Sequence, residues 1–396
     1  MKKTTITVST SVKDADAFDL EAHLDWDGPA EPMRYEVHSQ ETIAPPVSAD
    51  WAVLSVLFPL MKAKRDVFVD APISAKLLHY VNTDIQAALT TFDPSLSRIE
   101  ISAAETIEHP PERTNRRGTG FSGGVDSFAT LFTYDVGTLQ PLTDLTYFNV
   151  GTFGDEQSAD SKQVFSDGYE RAKRKADQRG LNIISIQGTV GHLYSPDYNF
   201  LKSHTVRNAA AALTLESHLD EYLYSSAFEY RFSQVKPHYE LTPLDPILLP
   251  LMSNGAITFY SGCAGMSRFD KTALITEHPE TFGELDVCIL LAHNRTKLEK
   301  YNCSGCAKCF RTMLTLDALG KLDNYSDVFN LRYFRRKKAE AVRVISKLAR
   351  SYHPIEIDLV ERLAQAGTHI PGRAESWYHD FNDQVRKFRK RIFGKA

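Results

Sequence analysis

A glycine-rich turn between a predicted strand and a predicted helix constrains the fold of this chain more than any other feature. The turn reads Phe-Ser-Gly-Gly-Val-Asp-Ser at 121–127, after a short strand at 118–121 and at the start of a helix at 127–134. Strands and helices then alternate, with strands at 145–150, 181–187, 222–226 and 256–261 and helices at 158–179 and 204–218. Such alternation is typical of an α/β fold with a doubly wound, mostly parallel sheet and helices on both faces.

The residue types of this turn suit the binding of phosphate. Glycines remove Cβ atoms, so successive backbone N–H groups can close around phosphate oxygens, and the following helix directs its positive end at the same anion. Ser122 and Ser127 add hydroxyl donors, and Asp126 can hold the Mg²⁺ that accompanies the phosphates. The lysine of a Walker loop and the GxGxxG spacing of a dinucleotide site are both missing. The alternative is a turn of the same composition that binds no ligand.

The cysteines provide a second motif. Four of the five lie between residues 288 and 309, namely Cys288, Cys303, Cys306 and Cys309. Thiolates two residues apart can converge on one ion from a tight turn, which Gly305 is expected to ease, so the sequence predicts a closed tetrahedral Zn²⁺ site. The alternatives are an iron–sulfur cluster and buried thiols without a ligand. We expect the fifth, Cys263, to be a small buried residue beside the pocket.

The order Ser-Gly-Gly-x-Asp-Ser resembles the loop of the N-type ATP pyrophosphatases, or PP-loop proteins, which cleave ATP between the α and β phosphates and transfer AMP to a substrate oxygen. Together with the late Cys-x-x-Cys-x-x-Cys, it resembles the 7-cyano-7-deazaguanine synthase family of the queuosine pathway. Arg207-Asn208 resembles this family's Arg-Asn element, and the segment with Arg268 and Lys271 resembles its Ser-Lys element. The resemblance spans about residues 118–320. For the three basic residues, the alternative is a place on the surface without a role.

The resemblance implies an adenine nucleotide α-hydrolase-like fold with a zinc knuckle, and an AMP-forming ligase that makes carbon–nitrogen bonds. It implies ATP, Mg²⁺ and Zn²⁺ as cofactors. The implied substrate is 7-carboxy-7-deazaguanine, which is adenylated with release of pyrophosphate and becomes an amide and then a nitrile. The implied residues are Asp126, Arg207 and Lys271 for catalysis; Phe121, Ser122, Gly123, Gly124, Val125, Asp126 and Ser127 for ATP; Arg207, Asn208, Arg268 and Lys271 for the substrate; and Cys288, Cys303, Cys306 and Cys309 for zinc.

This chain departs from the family pattern in three ways. Residues 1–117 are an addition, the C-terminal segment is another, and fourteen residues separate Cys288 from Cys303, which is longer than the usual spacing. The acceptor can therefore differ from ammonia. One alternative function is a paralogue that joins the activated deazaguanine to an amine of a protein or nucleic acid, for instance in antiviral defence. Others are a tRNA-thiolating enzyme and a non-catalytic nucleotide- or RNA-binding module.

The sequence predicts three segments. Residues 1–110 read as a smaller α+β accessory or recognition domain, with strands at 5–9, 34–38 and 66–70 and helices at 48–64 and 74–90. A polar stretch at 103–118 with Pro110-Pro111 is the expected boundary. The PP-loop domain with its zinc knuckle then covers 118–320, and 321–396 is expected to form a basic helical extension.

The charge of the chain limits its partners. The net charge is −4, which argues against bulk electrostatic capture of nucleic acid. Eight lysine and arginine residues between 332 and 350 and a second basic cluster at 386–391 could still guide RNA or an acidic partner, although a solvated helix face is the simpler reading. Asp155-Glu156 could assist Mg²⁺ or be ordinary loop acids. A homo-oligomer is left open.

The sequence contains no stretch of about 18 uninterrupted apolar residues of the kind that spans a membrane. The basic start, Met1-Lys2-Lys3, has no apolar region behind it, which does not fit a signal peptide. From these two observations we expect no membrane partner and a cytoplasmic location.

Overall fold

In the computed structural model, residues 2–109, 114–135, 137–154, 156, 158–194, 200–290, 292–351 and 353–378 are described. The chain divides into two compact units. The first, here called the sheet unit, comprises residues 1–266 and 291–297, and the second, the cysteine unit, comprises 267–290 and 298–396.

The sheet unit contains one ten-stranded sheet. Its strands are β1 (Lys2–Asp14), β2 (Ala17–Asp25), β3 (Met33–Ser39), β4 (Arg65–Ser74), β5 (Ile101–Ile107), β6 (Arg117–Gly120), β7 (Asp144–Asn149), β8 (Asn182–Gly188), β9 (Glu221–Ser225) and β10 (Thr258–Gly262). Its helices are α1 (Asp50–Ala63), α2 (Ala75–Tyr80), α3 (Gln86–Phe92), α4 (Val125–Thr133), α5 (Ala159–Arg179), α6 (Phe200–Leu213), α7 (Asp245–Leu251) and, after the excursion into the cysteine unit, α9 (Ala292–Arg295).

The strand order, β10-β9-β6-β7-β8-β3-β2-β1-β4-β5, identifies the parallel half of the sheet. The five strands β6 to β10 run parallel, and the chain moves outward from β6 through β7 to β8 before it returns to place β9 and β10 on the other side of β6. The direction of winding therefore reverses between β6 and β9. Open α/β sheets bind ligands outside the carboxyl ends of their strands at such a switch point.

Both faces of this half of the sheet are covered. Ile183 and Ile184 are neighbours on β8 and both are fully buried, although successive side chains of a strand point to opposite faces. Ile184 belongs to a hydrophobic core that includes α1 and α6. On the other face, Phe165 of α5 packs against Tyr147 of β7 with 5.3 Å between ring centroids. The mostly parallel α/β architecture predicted from the alternation is confirmed.

The N-terminal segment extends the same sheet. β3 pairs antiparallel with β8, with Val37 opposite Ile186, and β2, β1, β4 and β5 continue outward from it. Helix α1 is buried from Asp50 to Met61, which leaves only its last two residues exposed, as expected of a helix that is apolar on every side. Its side chains share one core with Val206 and Ala210 of α6.

The chain is therefore divided elsewhere than the sequence suggested. The strands on both sides of the expected boundary at 103–118 belong to one sheet and one core, so residues 1–110 are not set apart as a unit. The division between units instead follows Met266. An alternating strand such as β3 has the same pattern whether it closes a small domain or covers the edge of a larger sheet, so the pattern could not reveal its partner. Pro110-Pro111 lies outside the described residues.

The cysteine unit is helical in its described part. Its helices are α8 (Arg268–Thr276), α10 (Ala307–Ala318), α11 (Leu331–Arg350) and α12 (Pro354–Gln365). The last two lie where the helical extension was predicted, but α10 and α11 pack together within one unit, so no boundary falls at residue 320. The basic cluster at 386–391 lies outside the described residues. Among the described helices, none combines the length and apolarity that crossing a membrane requires.

Candidate functional site

The predicted phosphate loop lies at the switch point of the sheet. Residues 121–127 connect β6 to α4, and the Phe121 N–H donates to the Thr146 carbonyl at 2.9 Å, which fixes the start of the loop to neighbouring β7. Gly123 has a φ of +72°, a left-handed conformation that side chains with a Cβ rarely adopt. The loop therefore turns sharply enough to bring the start of α4 above the carboxyl end of β6.

The start of α4 is arranged as an anion site. Gly124 occupies the N-cap and offers no side-chain acceptor to the N–H groups of the first turn, which a helix leaves without intrahelical partners. The Ser127 hydroxyl donates to the Gly124 carbonyl at 3.0 Å and lies 3.5 Å from the Ser122 hydroxyl. Asp126 is in the first turn. Backbone donors, two hydroxyls and one carboxylate thus meet where a phosphate and its metal ion could bind.

Arg207 lies at the same edge of the sheet. It is only 4% exposed, its guanidinium carbon is 3.5 Å from the centroid of the Tyr194 ring, and its Nη1 donates to the carbonyl of Val150, the residue after β7, at 3.2 Å. Gly151 has a φ of +101°, and a Cβ there would lie 2.5 Å from Arg207 Nη1. A side chain at 151 would thus displace this cation, which is buried and not a surface charge.

Two further groups lie at this edge: Glu156, which the sequence predicts either to assist Mg²⁺ or to be an ordinary loop acid, and Tyr194, which it does not single out. The Glu156 carboxylate accepts the N–H of Gly191 at 3.0 Å and lies close to Gly151, beside the Arg207 guanidinium. Burial raises the pKa of Tyr194, and the charge of Arg207 offsets part of that rise. Glu156 therefore holds a turn, as a loop acid would, while Asp155 lies outside the described residues.

Asn208 and His204 make different contacts from their neighbour Arg207. The Asn208 amide donates to the His204 carbonyl of its own helix at 2.7 Å. The His204 ring lies with its Nδ1 2.9 Å from the Tyr224 hydroxyl. Burial raises the pKa of Tyr224 well above its ordinary value, and the carboxylates of Asp245 and Asp126 add to the rise.

The four clustered cysteines converge in the cysteine unit. The sulfur atoms of Cys288, Cys303, Cys306 and Cys309 all lie within 4.8 Å of one another. Cys309 Sγ is 3.4 Å from Cys306 Sγ and 3.8 Å from Cys303 Sγ. A hydrogen bond from Cys288 lowers the pKa of Cys303 below its ordinary value. Four sulfur donors at this spacing can bind a metal ion such as zinc.

The turn between Cys303 and Cys306 does not depend on Gly305, the residue that was expected to ease it; another residue adopts the left-handed backbone conformation. Ser304 has a φ of +57°, whereas Gly305 does not have a positive φ. The Ser304 hydroxyl, fully buried, accepts the Asn330 N–H at 2.8 Å, and this contact stabilises the conformation. The Gly305 and Cys306 N–H groups both approach Cys303 Sγ, at 3.5 and 3.3 Å.

Asn302 explains how Cys288 reaches the other three sulfurs across fourteen residues. Its Oδ1 accepts the Val287 N–H at 2.8 Å, and its Nδ2 donates to the Leu285 carbonyl at 2.8 Å. These two bonds hold the backbone just before Cys288 against Asn302, the residue that precedes Cys303. The long gap is therefore compatible with a four-cysteine cluster. Cys263 is separate and buried, and its thiol lies 3.4 Å from the Thr133 hydroxyl.

Arg268 and Lys271 begin α8 in the cysteine unit. Ser267 caps this helix and forms a capping box with Asp270. Lys271 is fully buried and Arg268 is half-buried. The alternative interpretation of Lys271, a surface residue without a role, is therefore wrong about its position. The loop and Arg207 belong to the sheet unit, and these two residues belong to the cysteine unit.

The basic face of α11 is partly neutralised by its own surroundings. Lys338 pairs with Asp317 at 2.6 Å, Lys337 with Glu340 at 2.6 Å, and Arg335 with Asp323. Exposed pairs of this kind contribute little stability, but they reduce the net positive charge that an RNA or an acidic partner would meet.

Comparisons of this chain with models of protein families, with curated proteins and with solved structures found no match. The resemblance to the 7-cyano-7-deazaguanine synthases therefore rests on the motifs themselves. The geometry adds two candidate sites that these motifs occupy, a loop at the switch point of the sheet and a cluster of four thiols.

Proposed function

We propose that this protein is an AMP-forming enzyme that uses ATP to activate a carboxylate, 7-carboxy-7-deazaguanine, for the formation of an amide and then a nitrile. The observation that carries the proposal is the position of the loop at 121–127. A tight glycine turn directs the uncapped start of α4 to the carboxyl end of β6, at the point where the winding of the sheet reverses. That is the place and the chemistry of a phosphate site in an open α/β sheet.

The reaction needs activation because an anionic carboxylate is a poor electrophile. In the proposed step, a carboxylate oxygen attacks the α-phosphorus of ATP, the bond between the α-phosphorus and its bridging oxygen breaks, and pyrophosphate leaves. Ammonia or an amine then displaces AMP from the acyl carbon and gives an amide. When ammonia is the acceptor, the amide oxygen attacks the α-phosphorus of a second ATP, pyrophosphate leaves, and loss of AMP together with the two amide protons leaves the nitrile. The protein supplies no nucleophile, so its contribution is positioning and electrostatic stabilisation of the departing phosphates.

The proposal gives each described group a role that its surroundings support. The N–H groups that start α4 and the hydroxyls of Ser122 and Ser127 would bind phosphate oxygens, and Asp126 would hold Mg²⁺, which neutralises phosphate charge when bound. The buried guanidinium of Arg207 would attract an anionic substrate group at the neighbouring strand end. Roles for Asn208, Arg268 and Lys271 in substrate binding stay predictions, as does the cytoplasmic location.

The four cysteines would hold one structural Zn²⁺. The donor set fits, because four thiolates form a closed tetrahedral site that leaves no position for a substrate. We assign this ion no step in the reaction. Its contribution would be to stabilise the cysteine unit around the start of α10.

One reason to expect an acceptor larger than ammonia was the presence of the additional N-terminal residues. Because β1–β5 and α1 complete the sheet and its core, these residues have a structural role that needs no acceptor. The proposal therefore retains ammonia or a small amine as the acceptor. Mass spectrometry of products from ATP and 7-carboxy-7-deazaguanine, with and without ammonia, would identify it.

The first test is ATP–pyrophosphate exchange with 7-carboxy-7-deazaguanine as the acid. We expect Asp126→Asn to reduce exchange at least about 100-fold, because the metal that stabilises the phosphates loses its carboxylate. Asp160→Asn is the matched control, since Asp160 is likewise the second residue of its helix, α5, and should leave exchange unchanged. Exchange at the normal rate in Asp126→Asn would contradict the assignment of the loop.

A further inference from the structure

A series of buried contacts connects helix α1 to Arg207, the cation of the proposed site. It leads from Ser55 in α1 to Tyr194, which follows a single helical turn at Gly191–Leu193, and from Tyr194 to the Arg207 guanidinium. All three residues are buried and belong to the sheet unit, although they lie in separate segments of the chain. Hydrogen bonds and electrostatic contacts are stronger where water is excluded, so these contacts can fix the position of the cation.

Pro59 explains why α1 offers an acceptor to Tyr194. A helical residue normally donates its N–H to the carbonyl four residues earlier, but proline has no N–H. Pro59 lies inside α1, so the Ser55 carbonyl does not receive this bond. The Tyr194 hydroxyl donates to that carbonyl at 3.0 Å. The bond that the proline removes from the helix is thus replaced by one that connects α1 to Tyr194.

Ser55 is itself held by its neighbours. Its hydroxyl donates to the Trp51 carbonyl of the same helix at 2.7 Å, and its oxygen lies 2.8 Å from the hydroxyl of Tyr35 in β3. Because serine has one hydroxyl hydrogen to donate, the Tyr35 hydroxyl is the donor of the second bond. A strand and a helix of the N-terminal segment therefore both fix the residue to which Tyr194 is attached.

The backbone of Tyr194 is fixed from the other side by Glu156. The Glu156 carboxylate accepts the Gly191 N–H at 3.0 Å, and the Tyr194 N–H donates to the Gly191 carbonyl at 3.0 Å. These two bonds hold the turn that precedes Tyr194. Because the hydroxyl and the backbone of Tyr194 are held by different elements, its ring has little freedom to move.

The Tyr194 ring in turn orients the Arg207 guanidinium. The guanidinium carbon is 3.5 Å from the ring centroid, and Nη1 donates to the Val150 carbonyl at 3.2 Å. A cation over the face of an aromatic ring is attracted by the negative charge of that face, and the attraction is larger when both groups are desolvated. The ring and the carbonyl together set the plane of the guanidinium and hence the directions of its other N–H groups.

We propose that Tyr194 is a positioning residue for Arg207, and that α1 holds Tyr194 in place through the Ser55 carbonyl. The consequence for the reaction rests on the proposed function, in which Arg207 attracts the anionic group of the acid. A guanidinium that is already oriented loses less conformational freedom when the anion binds, so binding is tighter. The N-terminal segment thereby contributes to binding of the acid without contacting it.

The first test measures the orientation of Arg207 and does not depend on the reaction. The full chain is prepared with isotopically labelled arginine, and the nuclear magnetic resonance signal of the Arg207 Nε–H is assigned by its loss in Arg207→Met. We expect the Tyr194 ring to shift this proton signal upfield in the wild type, and Tyr194→Leu to abolish the shift. A wild-type signal at the frequency of exposed arginines would overturn the proposal, whatever acid the enzyme uses.

The second test is ATP–pyrophosphate exchange with separate KM values for 7-carboxy-7-deazaguanine and ATP. In Tyr194→Leu we expect the KM for the acid to rise at least about tenfold and the KM for ATP to change less than about twofold. Tyr194→Phe keeps the ring and loses the bond to Ser55, so the KM for the acid should rise only about threefold. Tyr194→Phe decides the question if Tyr194→Leu fails to fold. A wild-type KM for the acid in either variant would overturn the proposal.

A double-variant cycle separates positioning from a general structural role. If Tyr194 acts through Arg207, each Tyr194 variant should add less than about twofold to the KM for the acid that Arg207→Met already raises. Effects that multiply independently would overturn the proposal. Tyr325→Phe is the matched control, because it removes a buried hydroxyl that lies 2.8 Å from Thr281 in the cysteine unit, and it should leave both KM values unchanged. Wild type without exchange would contradict the proposed function, and the arginine signal would still decide this inference.

Discussion

Asp144 shows how single residues fix the amino ends of the parallel strands. It is fully buried at the start of β7 and accepts hydrogen bonds from four side chains, namely Arg116 at 2.9 and 3.0 Å, His218 at 2.9 Å, Asn182 at 2.7 Å and Thr143 at 2.6 Å. Burial alone would raise the pKa of Asp144, but the bonds from His218 and Arg116 outweigh it and lower the pKa to about 2.

This lowered pKa predicts an acid dependence of stability. A carboxyl whose pKa is below its unfolded value of about 4 stabilises the fold above pH 4, and that contribution, about 2 kcal/mol, is lost as the pH falls toward 2. Asp144→Asn should therefore lower the free energy of unfolding at pH 7 by at least about 2 kcal/mol, and the difference from wild type should shrink below pH 4. Urea unfolding at several pH values measures both effects.

The control for this prediction is Asp19→Asn, which removes a half-buried partner of Lys13. It should change the free energy of unfolding by less than about 0.5 kcal/mol at any pH. A constant difference between wild type and Asp144→Asn from pH 7 to pH 3 would contradict the linkage.

At the scale of single residues, the sequence predicted those site residues whose role can be inferred from their own type and from the residues next to them in the chain. Asp126, the glycines beside it and the four cysteines could be singled out because their chemistry is local. Tyr194 could not, because it meets Arg207 only through the packing of separate segments.

At the scale of elements, periodicity predicted most strands, but two strands of the N-terminal segment were missed. One is β2, although Phe18, Leu20 and Ala22 alternate along it; the other is β5, whose pattern is weak. β5 reads Ile-Ser-Ala-Ala-Glu-Thr-Ile and lies at the edge of the sheet, so few of its side chains are buried. The helix predicted at 74–90 contains a π-helical turn at Val81–Ile85. There Asn82 hydrogen-bonds both backbone groups of Ile101, a contact that no helical pattern reveals.

The start of α10 carries the prediction for the cysteine cluster. Removal of a structural ion unfolds what it connects, so a chelator should lower the melting temperature by at least about 5 °C. Cys306→Ser should lose the ion that elemental analysis finds in wild type, expected as one Zn²⁺ per chain. Cys263→Ser is the matched control and should keep it. Iron with sulfide, or no metal in wild type, would contradict the prediction.

At the scale of the whole molecule, the sequence predicted the parallel strands β6–β10 of the sheet. It could not predict that β1–β5 continue the same sheet beyond β8. Strand and helix alternation implies parallel pairing almost by itself, because a crossover helix must connect parallel neighbours. The pairing of β3 with β8 joins residues about 150 positions apart, as between Val37 and Ile186, and depends on which edge remains open after β6–β10 have formed. That edge is a property of the assembled sheet.

The last prediction concerns deletion of residues 2–110. The deletion removes five of the ten strands, leaves the edge of β8 unpaired and exposes the face of α6 on which Val206 and Ala210 pack in the core shared with α1. We therefore expect the remaining chain to lose cooperative unfolding and to aggregate, with ATP–pyrophosphate exchange and product formation lost together. Co-expression of residues 1–110 as a separate fragment should restore soluble protein, because the fragment supplies β3 and α1. A truncated chain that stays soluble, unfolds cooperatively and retains exchange would show that the N-terminal residues are a separate domain after all.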